Sequence, residues 1–355
     1  MTIDTLWFTR CPSPSAASIA IRQNWLAEEF AADGIAVRSL AASRDKQVQL
    51  SHYQHTQPNS FRFGGWVPPL VSASRGADIK VIGLSWPDRA GGILALPGSG
   101  LRTAADLRGK CLSVPRRVQD SVDWWRPTVL GGYRRGLALA GLGLDDVTLI
   151  DVPIEREYVA DATTGDAPVQ SLWGARSQFA VQREEVAALL QGRVDAIYSD
   201  AALGALVRAF LGTVTVVDLF NREEDGSLAD GQPVVLTVSG RLLEERPDLV
   251  QRWLSRLLDA DAWARANPAE AKRIFAVDTG LPEDFVDLGF SPRLPEQADV
   301  SLAPNRMALL KARHDDLLAG GFLAGPIDFA RFVDPGPLRA AQQLRQTRQD
   351  LGQAA

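Results

Sequence analysis

The sequence is poor in the residues that build metal sites and disulfide frameworks. Its 355 residues include two cysteines and three histidines. Cys11 and Cys111 lie far apart in the chain, and neither belongs to a CxxC pair. This usage argues against a structural zinc site and favours reduced thiols over a disulfide. We therefore expect a protein with no bound metal.

Long apolar runs and an excess of positive charge are also missing. No stretch of about 18 apolar residues is present to span a bilayer. The net charge of -5 provides no basic surface for nucleic acid. The first residues show neither the basic nor the apolar region of a signal peptide, which favours a cytoplasmic protein or a mature form whose signal has been removed. We expect a cytoplasmic monomer that binds neither membrane nor nucleic acid.

What is present is an ordinary globular composition, 46% hydrophobic, at a length that favours two lobes. Strand-like and helix-like segments alternate over residues 5–97, which predicts an α/β fold with a mostly parallel sheet. A second α/β set follows the Pro-Gly-Ser-Gly sequence at 97–100, a composition typical of a hinge or boundary.

Cys11 lies between a predicted strand at residues 4–9 and a predicted helix at residues 14–32. Ser13 is the predicted N-cap of that helix and Pro14 its first residue. A thiol facing the positive end of a helix is favoured as the thiolate, so Cys11 is a candidate reactive cysteine. Free cysteine is also a common buried residue, and that alternative stays open. Cys111, within a strand-like stretch, is predicted to be core.

Three segments of the second set, residues 105–110, 141–147 and 192–198, resemble the sulfonate, nitrate and taurine branch of periplasmic-binding-protein-like folds. The resemblance implies a two-lobed, type II α/β fold that closes on an anionic ligand in the cleft between its lobes. By this analogy, lobe 1 comprises residues 1–96 and 234–355, and lobe 2 comprises residues 97–233.

Residues 5–14, 52–58 and 62–65, which include Cys-Pro-Ser-Pro and Arg-Phe-Gly-Gly, are similar to the 2'-hydroxybiphenyl-2-sulfinate desulfinase family. The resemblance implies cofactor-independent hydrolysis of the C–S bond of an aromatic sulfinate, giving a phenol-type product and sulfite. It also implies that Cys11, His52 and Arg62 form the catalytic trio.

The sequence departs from this family pattern at two positions. His55 stands where a tyrosine is expected, so the choice between His52 and His55 as the catalytic partner stays open. Trp66 stands where an acidic residue is expected and changes the pocket wall beside the arginine. We expect both His55 and Trp66 to contact substrate.

The chemistry of a sulfinate assigns further roles. Arg62 is expected to bind the two oxygens bidentately, and Gly64 and Gly65 are expected to let a loop amide approach them. Cys11 could attack sulfur as a thiolate or donate a proton to the ring carbon. Several aromatic and histidine side chains complete the prediction: Trp66, Trp124, Trp125 and Trp173 as cleft walls, Trp25 and Trp253 as core, and His314 as an exposed helix residue.

Two other functions fit the same fold. The first is a non-enzymatic binding protein that captures a small sulfonate-like anion for an ABC transporter. The second is a pyrimidine-precursor or thiamine-precursor protein, in which the cysteine and histidine serve a different ligand. Turnover of an aryl sulfinate, with release of sulfite, separates the desulfinase from both.

Overall fold

A computed structural model describes residues 3–159, 181–220 and 232–353. The strands of these residues form two five-stranded sheets. In chain order the strands are β1 (Thr5–Arg10), β2 (Ala36–Ser39), β3 (Ser60–Gly65), β4 (Ile79–Ser85), β5 (Gly91–Ala95), β6 (Cys111–Arg117), β7 (Thr148–Ile154), β8 (Ala196–Asp200), β9 (Val214–Asp218) and β10 (Val234–Ser239).

Helices cover both sheets, and short 3-10 turns join several of the elements. The α-helices of the described residues are α1 (Ala16–Arg22), α2 (Trp25–Ala31), α3 (Lys46–Gln54), α4 (Val67–Ser74), α5 (Trp125–Ala138), α6 (Arg183–Leu190), α7 (Ala201–Leu211), α8 (Gly240–Glu245), α9 (Pro247–Ala266), α10 (Pro268–Thr279), α11 (Val286–Gly289), α12 (Pro304–Ala319), α13 (Phe329–Phe332) and α14 (Gly336–Gln353). None of the helices described is long and apolar enough to cross a membrane.

Each sheet is mostly parallel, with one antiparallel strand that enters from the other half of the chain. The first sheet has the order β2-β1-β3-β10-β4, and β10 is antiparallel to both neighbours. The second has the order β7-β6-β8-β5-β9, and β5 is antiparallel to both neighbours. The predicted two-lobed α/β fold is confirmed. In each sheet, the antiparallel strand is the first strand after the chain has crossed from the other lobe.

The first crossing between the sheets lies earlier than the sequence predicts. β4 belongs to the first sheet and β5 to the second, so the chain crosses over residues 86–90. β9 belongs to the second sheet and β10 to the first, so the chain has returned by Val234. The predicted boundary at residue 96 falls after β5. The Pro-Gly-Ser-Gly sequence forms an exposed turn within the second lobe, Pro97–Ser99, rather than the hinge. We propose these two crossings as the lobe boundaries.

The helix after Cys11 begins later and ends sooner than predicted. α1 begins at Ala16 with Ser15 as N-cap, so Ser13 and Pro14 precede the helix. It ends at Arg22, and Asn24, with φ of 63°, separates it from α2. Instead of a helix start, Cys11 enters a tight turn in which the Ser13 N–H donates to the Cys11 carbonyl at 2.7 Å.

A core of aromatic rings fixes the two strands that carry the site. Trp253 is fully buried and stacks on Phe61 at a centroid distance of 4.1 Å. It also contacts Phe8, so β1 and β3 turn these residues toward the core. Because strand side chains alternate, Thr9 and Arg62 face the opposite side, and they are register partners. Trp253 confirms its predicted core position, and Trp25 packs half-buried at the edge of the same core.

Two predicted positions outside the site are wrong. His314 is buried rather than exposed; its Nδ1 lies 2.8 Å from the Asp315 carboxylate and its Nε2 accepts from the Ile327 N–H at 3.1 Å. These contacts hold the chain after α12. Cys111 is half-buried rather than core, and it is the first residue of β6.

Candidate active site

The candidate site forms where β1 and β3 end side by side. The carboxyl ends of parallel strands meet at one edge of a sheet, which is where ligands bind in α/β folds. The Cys11 N–H donates to the Phe63 carbonyl at 2.8 Å and holds the cysteine beside the end of β3. Arg62 lies on β3 itself.

A third element, α3, brings His52 to the same edge. The Asp45 side chain caps this helix by accepting from the Gln47 N–H at 2.8 Å, and His52 occupies its last turn. The fully buried imidazole packs edge-on against Tyr53 and stacks on Tyr158 from the other lobe.

The thiol of Cys11 lies between His52 and Arg62. Its Sγ is 4.0 Å from His52 Nε2 and 3.8 Å from an Arg62 terminal nitrogen. On the other side of the ring, His52 Nδ1 is 2.8 Å from the Thr9 hydroxyl. Arg62 Nε donates to the His52 carbonyl at 2.9 Å and its other terminal nitrogen donates to the Gly65 carbonyl at 3.1 Å. Thr9, which the sequence analysis missed, therefore orients the histidine.

The electrostatics of the trio keep His52 neutral. Burial lowers the pKa of the imidazole well below its ordinary value of 6.5, and the positive charge of Arg62 lowers it further. Burial also lowers the pKa of Arg62, and the neighbouring thiol opposes that shift. A neutral imidazole beside a permanent cation leaves the negative charge of an anionic ligand to be balanced by Arg62.

Gly64 and Gly65 lie within β3 and not in a loop, which corrects the predicted role of loop amides. They pair with Val235 and Val234 of β10. A Cβ on Gly64 would lie 2.5 Å from Cys11 Sγ and 3.0 Å from an Arg62 nitrogen, whereas a Cβ on Gly65 would meet nothing within 4 Å. Gly64 therefore provides the space in which thiol and guanidinium approach each other.

His55 does not reach the thiol with His52. It ends α3 in a left-handed conformation with φ of 55°, and its Nδ1 lies 3.0 Å from the Tyr53 carbonyl and 3.2 Å from the Ser72 hydroxyl. It lines a second surface pocket, behind Tyr53, and burial lowers its pKa to about 3. The buried contacts of His55 secure the end of α3, and its predicted contact with substrate stays a prediction.

A cleft of about 890 Å³, including its open mouth, extends from the trio between the lobes. Cys11, His52 and Arg62 line it together with Gly65 and Trp66. The other lobe contributes aromatic and aliphatic walls from Trp124, Trp125, Tyr158 and Leu203. The aromatic and aliphatic lining fits the ring of a small aromatic ligand.

The predicted tryptophan walls are in part where the sequence analysis expects them. Trp66, Trp124 and Trp125 line the cleft, whereas Trp173 lies outside the described residues. Trp66 donates its indole N–H to the Gln232 side chain, and Trp125 donates to Glu185 at 3.0 Å. These bonds hold the flat faces of the rings in place. Over the described ranges, no group of three or more His, Cys, Asp or Glu residues is arranged to hold a metal ion.

Comparison with known proteins identifies relatives over nearly the whole chain. The chain is 30% identical to the 2'-hydroxybiphenyl-2-sulfinate desulfinase of Rhodococcus erythropolis over 357 aligned positions, 94% of this chain and 92% of the relative. The enzyme of the same name from Rhodococcus qingshengii matches equally well. No protein-family model matches the chain.

Solved structures give the same picture. The chain is similar to the desulfurization enzyme DSZB, solved as a cysteine-to-serine mutant in complex with biphenyl-2-sulfinic acid, with a TM-score of 0.76 and 26% identity over 97% of this chain and 100% of that one. The periplasmic aliphatic sulphonate binding protein SsuA of Escherichia coli shares the fold, with a TM-score of 0.63 and 17% identity over 94% of this chain and 92% of that one. The predicted periplasmic-binding-protein-like fold and the predicted resemblance are both confirmed. The chain belongs to the 2'-hydroxybiphenyl-2-sulfinate desulfinase family.

Proposed function

We propose that this protein is a desulfinase that cleaves the C–S bond of an aromatic sulfinate. Water supplies a proton to the ring carbon and a hydroxyl to sulfur, so that the sulfinate anion and water give the arene and hydrogen sulfite. The observation that carries the proposal is the thiol of Cys11 held between a neutral His52 and the Arg62 guanidinium at the end of an aromatic cleft. Membership of the desulfinase family supports the same reaction.

Arg62 binds the sulfinate in this proposal. Three of the five N–H groups of a guanidinium are directed here at the His52 carbonyl, the Gly65 carbonyl and the Cys11 thiol. One N–H on each terminal nitrogen remains for the ligand, and this pair matches the two oxygens of a sulfinate. A sulfinate bound there places its C–S bond beside the thiol.

Cys11 delivers the proton to the ring carbon. Because burial lowers the pKa of His52, an imidazolium is a costly product in this site, and removal of the thiol proton by His52 is disfavoured. The thiol instead protonates the carbon that carries sulfur as the C–S bond breaks, and Arg62 stabilises the resulting thiolate. The sulfur dioxide released then reacts with water, which gives hydrogen sulfite and returns a proton to Cys11.

His52 orients the thiol rather than accepting its proton. If Nδ1 donates to the Thr9 hydroxyl, Nε2 is left as an acceptor facing the S–H group. The net reaction is a hydrolysis, so the enzyme class we propose is a hydrolase of carbon–sulfur bonds. A reactive thiol also persists best in a reducing compartment, and we propose that the enzyme acts in the cytoplasm, as a monomer.

Sulfite release from biphenyl-2-sulfinate tests the reaction. The wild-type protein should release one sulfite for each arene formed, and Cys11→Ser should release none above background while its melting temperature is unchanged. The control is Cys111→Ser, which removes the other free cysteine, at the start of β6 and outside the lining of the cleft. Full activity in Cys11→Ser, or tight binding without turnover in the wild type, would reject the desulfinase in favour of another role.

The route is tested by mass spectrometry of the protein during turnover. Attack by the thiolate on sulfur would leave Cys11 carrying the mass of one SO₂, whereas proton donation leaves the protein unmodified. We expect no adduct, together with a slower reaction in D₂O because a proton moves in the step that breaks the C–S bond.

A further inference from the structure

Tyr53, which lines the cleft, has a buried hydroxyl group with no hydrogen-bond partner. The residue follows His52 in the last turn of α3 and is 1% exposed. Across the described part of the chain, no group donates to this hydroxyl or accepts from it. A buried hydroxyl that lacks a partner costs free energy, so this position favours a ligand that supplies one.

Contacts of the backbone and of the ring fix the position of Tyr53. Its carbonyl oxygen accepts from the Ser72 hydroxyl at 2.5 Å, and His55 Nδ1 lies 3.0 Å from the same oxygen. Its ring packs edge-on against His52 at a centroid distance of 4.9 Å and lies 6.3 Å from the ring of Tyr158 in the other lobe. None of these contacts uses the hydroxyl group.

The phenol of Tyr53 is a donor, and the carboxylate near it is bound elsewhere. Burial raises the pKa of Tyr53 well above its ordinary value of 10, and the charge of Asp120 raises it further. The phenol therefore keeps its proton at neutral pH. Asp120 accepts from the Arg117 side chain and, at 2.8 Å, from the Tyr158 N–H. An anionic acceptor would form the strongest bond to the free O–H group.

The two groups that hold the sulfinate in the proposed function are electrostatic neighbours of this phenol. Burial lowers the pKa of Arg62, and Tyr53 is one of the groups that oppose that shift. Negative charge on Cys11 is one of the influences that raise the pKa of Tyr53. A sulfinate bound by Arg62 beside the thiol therefore lies near the phenol. Each oxygen of such an anion can accept more than one hydrogen bond, so the phenol adds to the donors of Arg62 without displacing them.

We propose that Tyr53 is a substrate-binding residue whose hydroxyl donates a hydrogen bond to an oxygen of the sulfinate that Arg62 holds. The inference rests on the proposed function for the identity of the anion. The proposed route determines which constant depends on this bond. Negative charge passes from the sulfinate to the thiolate as the C–S bond breaks, so a donor to the sulfinate oxygens stabilises the bound substrate more than the transition state. Loss of the hydroxyl should therefore weaken binding without lowering kcat.

Tyr53→Phe tests the inference, because it removes the hydroxyl and keeps the ring. Calorimetric titration of Cys11→Ser protein with biphenyl-2-sulfinate measures binding without turnover, and this ligand has no polar group besides the sulfinate. Adding Tyr53→Phe to that protein should weaken binding about tenfold, since a hydrogen bond to a charged group contributes on that scale. With Cys11 present, Tyr53→Phe should raise KM by a similar factor without lowering kcat. The melting temperature should not fall, because the hydroxyl has no hydrogen bond in the free protein to lose.

Tyr133→Phe is the matched control, since it removes a hydroxyl that has partners. Tyr133 is fully buried and lies outside the lining of the cleft. Its hydroxyl donates to the Ser113 carbonyl at 2.8 Å and accepts from the Tyr198 N–H at 3.0 Å. Its loss should lower the melting temperature and leave the affinity for biphenyl-2-sulfinate within about twofold.

The contrary outcomes separate this inference from the proposed reaction. Unchanged affinity in Tyr53→Phe, with or without a lower melting temperature, or a loss confined to kcat would overturn the role of the hydroxyl. Sulfite release by the wild type together with unchanged affinity in Tyr53→Phe refutes this inference alone. Weaker binding by Tyr53→Phe, without sulfite release by the wild type, refutes the proposed reaction alone.

Discussion

Replacement of Gly64 by alanine tests whether the thiol requires its present position. The added Cβ would lie 2.5 Å from Cys11 Sγ. Non-bonded heavy atoms prefer separations of about 3.5 Å or more, so the thiol must move by about 1 Å or rotate away. Arg62 has less to adjust, because its nitrogen would lie 3.0 Å from the new carbon and its side chain is long.

The expected result is a large loss of rate with a small loss of stability. A displacement of about 1 Å in a catalytic group lowers activity by about 10²-fold. The substituted strand should stay paired with β10, because the three atoms nearest to the new Cβ all belong to side chains. Sulfite release gives kcat and KM, and differential scanning fluorimetry gives the melting temperature. We expect the loss to fall mainly on kcat.

Gly65→Ala is the matched control, since it adds the same methyl group one residue further along the same strand. Its Cβ would meet nothing within 4 Å. Activity within about twofold of wild type is expected for this variant, because no neighbouring atom has to move. If Gly64→Ala also keeps activity within twofold, or if both variants lose it equally, close approach of the thiol and guanidinium is not what the reaction needs.

Three further predictions follow from the contacts of the site. His52→Ala should lower kcat by about 10²-fold, because the thiol loses the side chain that orients it. His55→Asn, which tolerates the left-handed backbone, should leave kcat within a few-fold and lower only the melting temperature; similar kinetics in the two variants would contradict the assignment. Thr9→Val should lower kcat by about fivefold, because the imidazole loses its hydrogen-bonded orientation; an unchanged kcat would show that Thr9 does not orient it. Burial raises the pKa of Glu185 from 4.5 to about 8. The folded state therefore takes up a proton, and the stability from this group is lost as pH rises from about 4.5 through about 8. Melting temperatures from pH 5 to 9 should fall less steeply in Glu185→Gln, and parallel curves would contradict the shift.

Cys11 shows which features of the site can be predicted from the local sequence and which cannot. The strand before it and its place at a strand end are both visible in the sequence, because alternation of apolar residues and the following turn residues mark them. The sequence analysis attributed the reactivity of Cys11 to the positive end of a helix. In the structure, the side chains beside the thiol are those of His52 and Arg62. These contacts join the end of β1, α3 and β3, which are separate in the sequence. Only the family resemblance predicted that their residues form one site.

The sequence analysis assigned neither α3 nor β3, for two different reasons. The helix 46–54 has few apolar residues, so it lacks a clear 3.6-residue period, and only Asp45 as its cap marks its start. The strand 60–65 ends in two glycines, which favour a turn locally. Pairing with β1 on one side and β10 on the other overrides that preference, and the missing side chains become the space that the thiol occupies.

The two lobes contribute different groups to the cleft: the first carries the groups of the proposed reaction, and the second carries walls proposed to contact the ring. Thr9 and Arg62 lie on the first sheet, Cys11 follows β1 directly and His52 lies on α3, so all four belong to the first lobe and closure of the lobes is not required to assemble them. The second lobe contributes the aromatic walls Trp124, Trp125 and Tyr158, which in the proposed function contact the ring rather than the sulfinate. A fold built to enclose an anion can therefore acquire C–S cleavage through one lobe, while changes in the other select the aromatic group that enters.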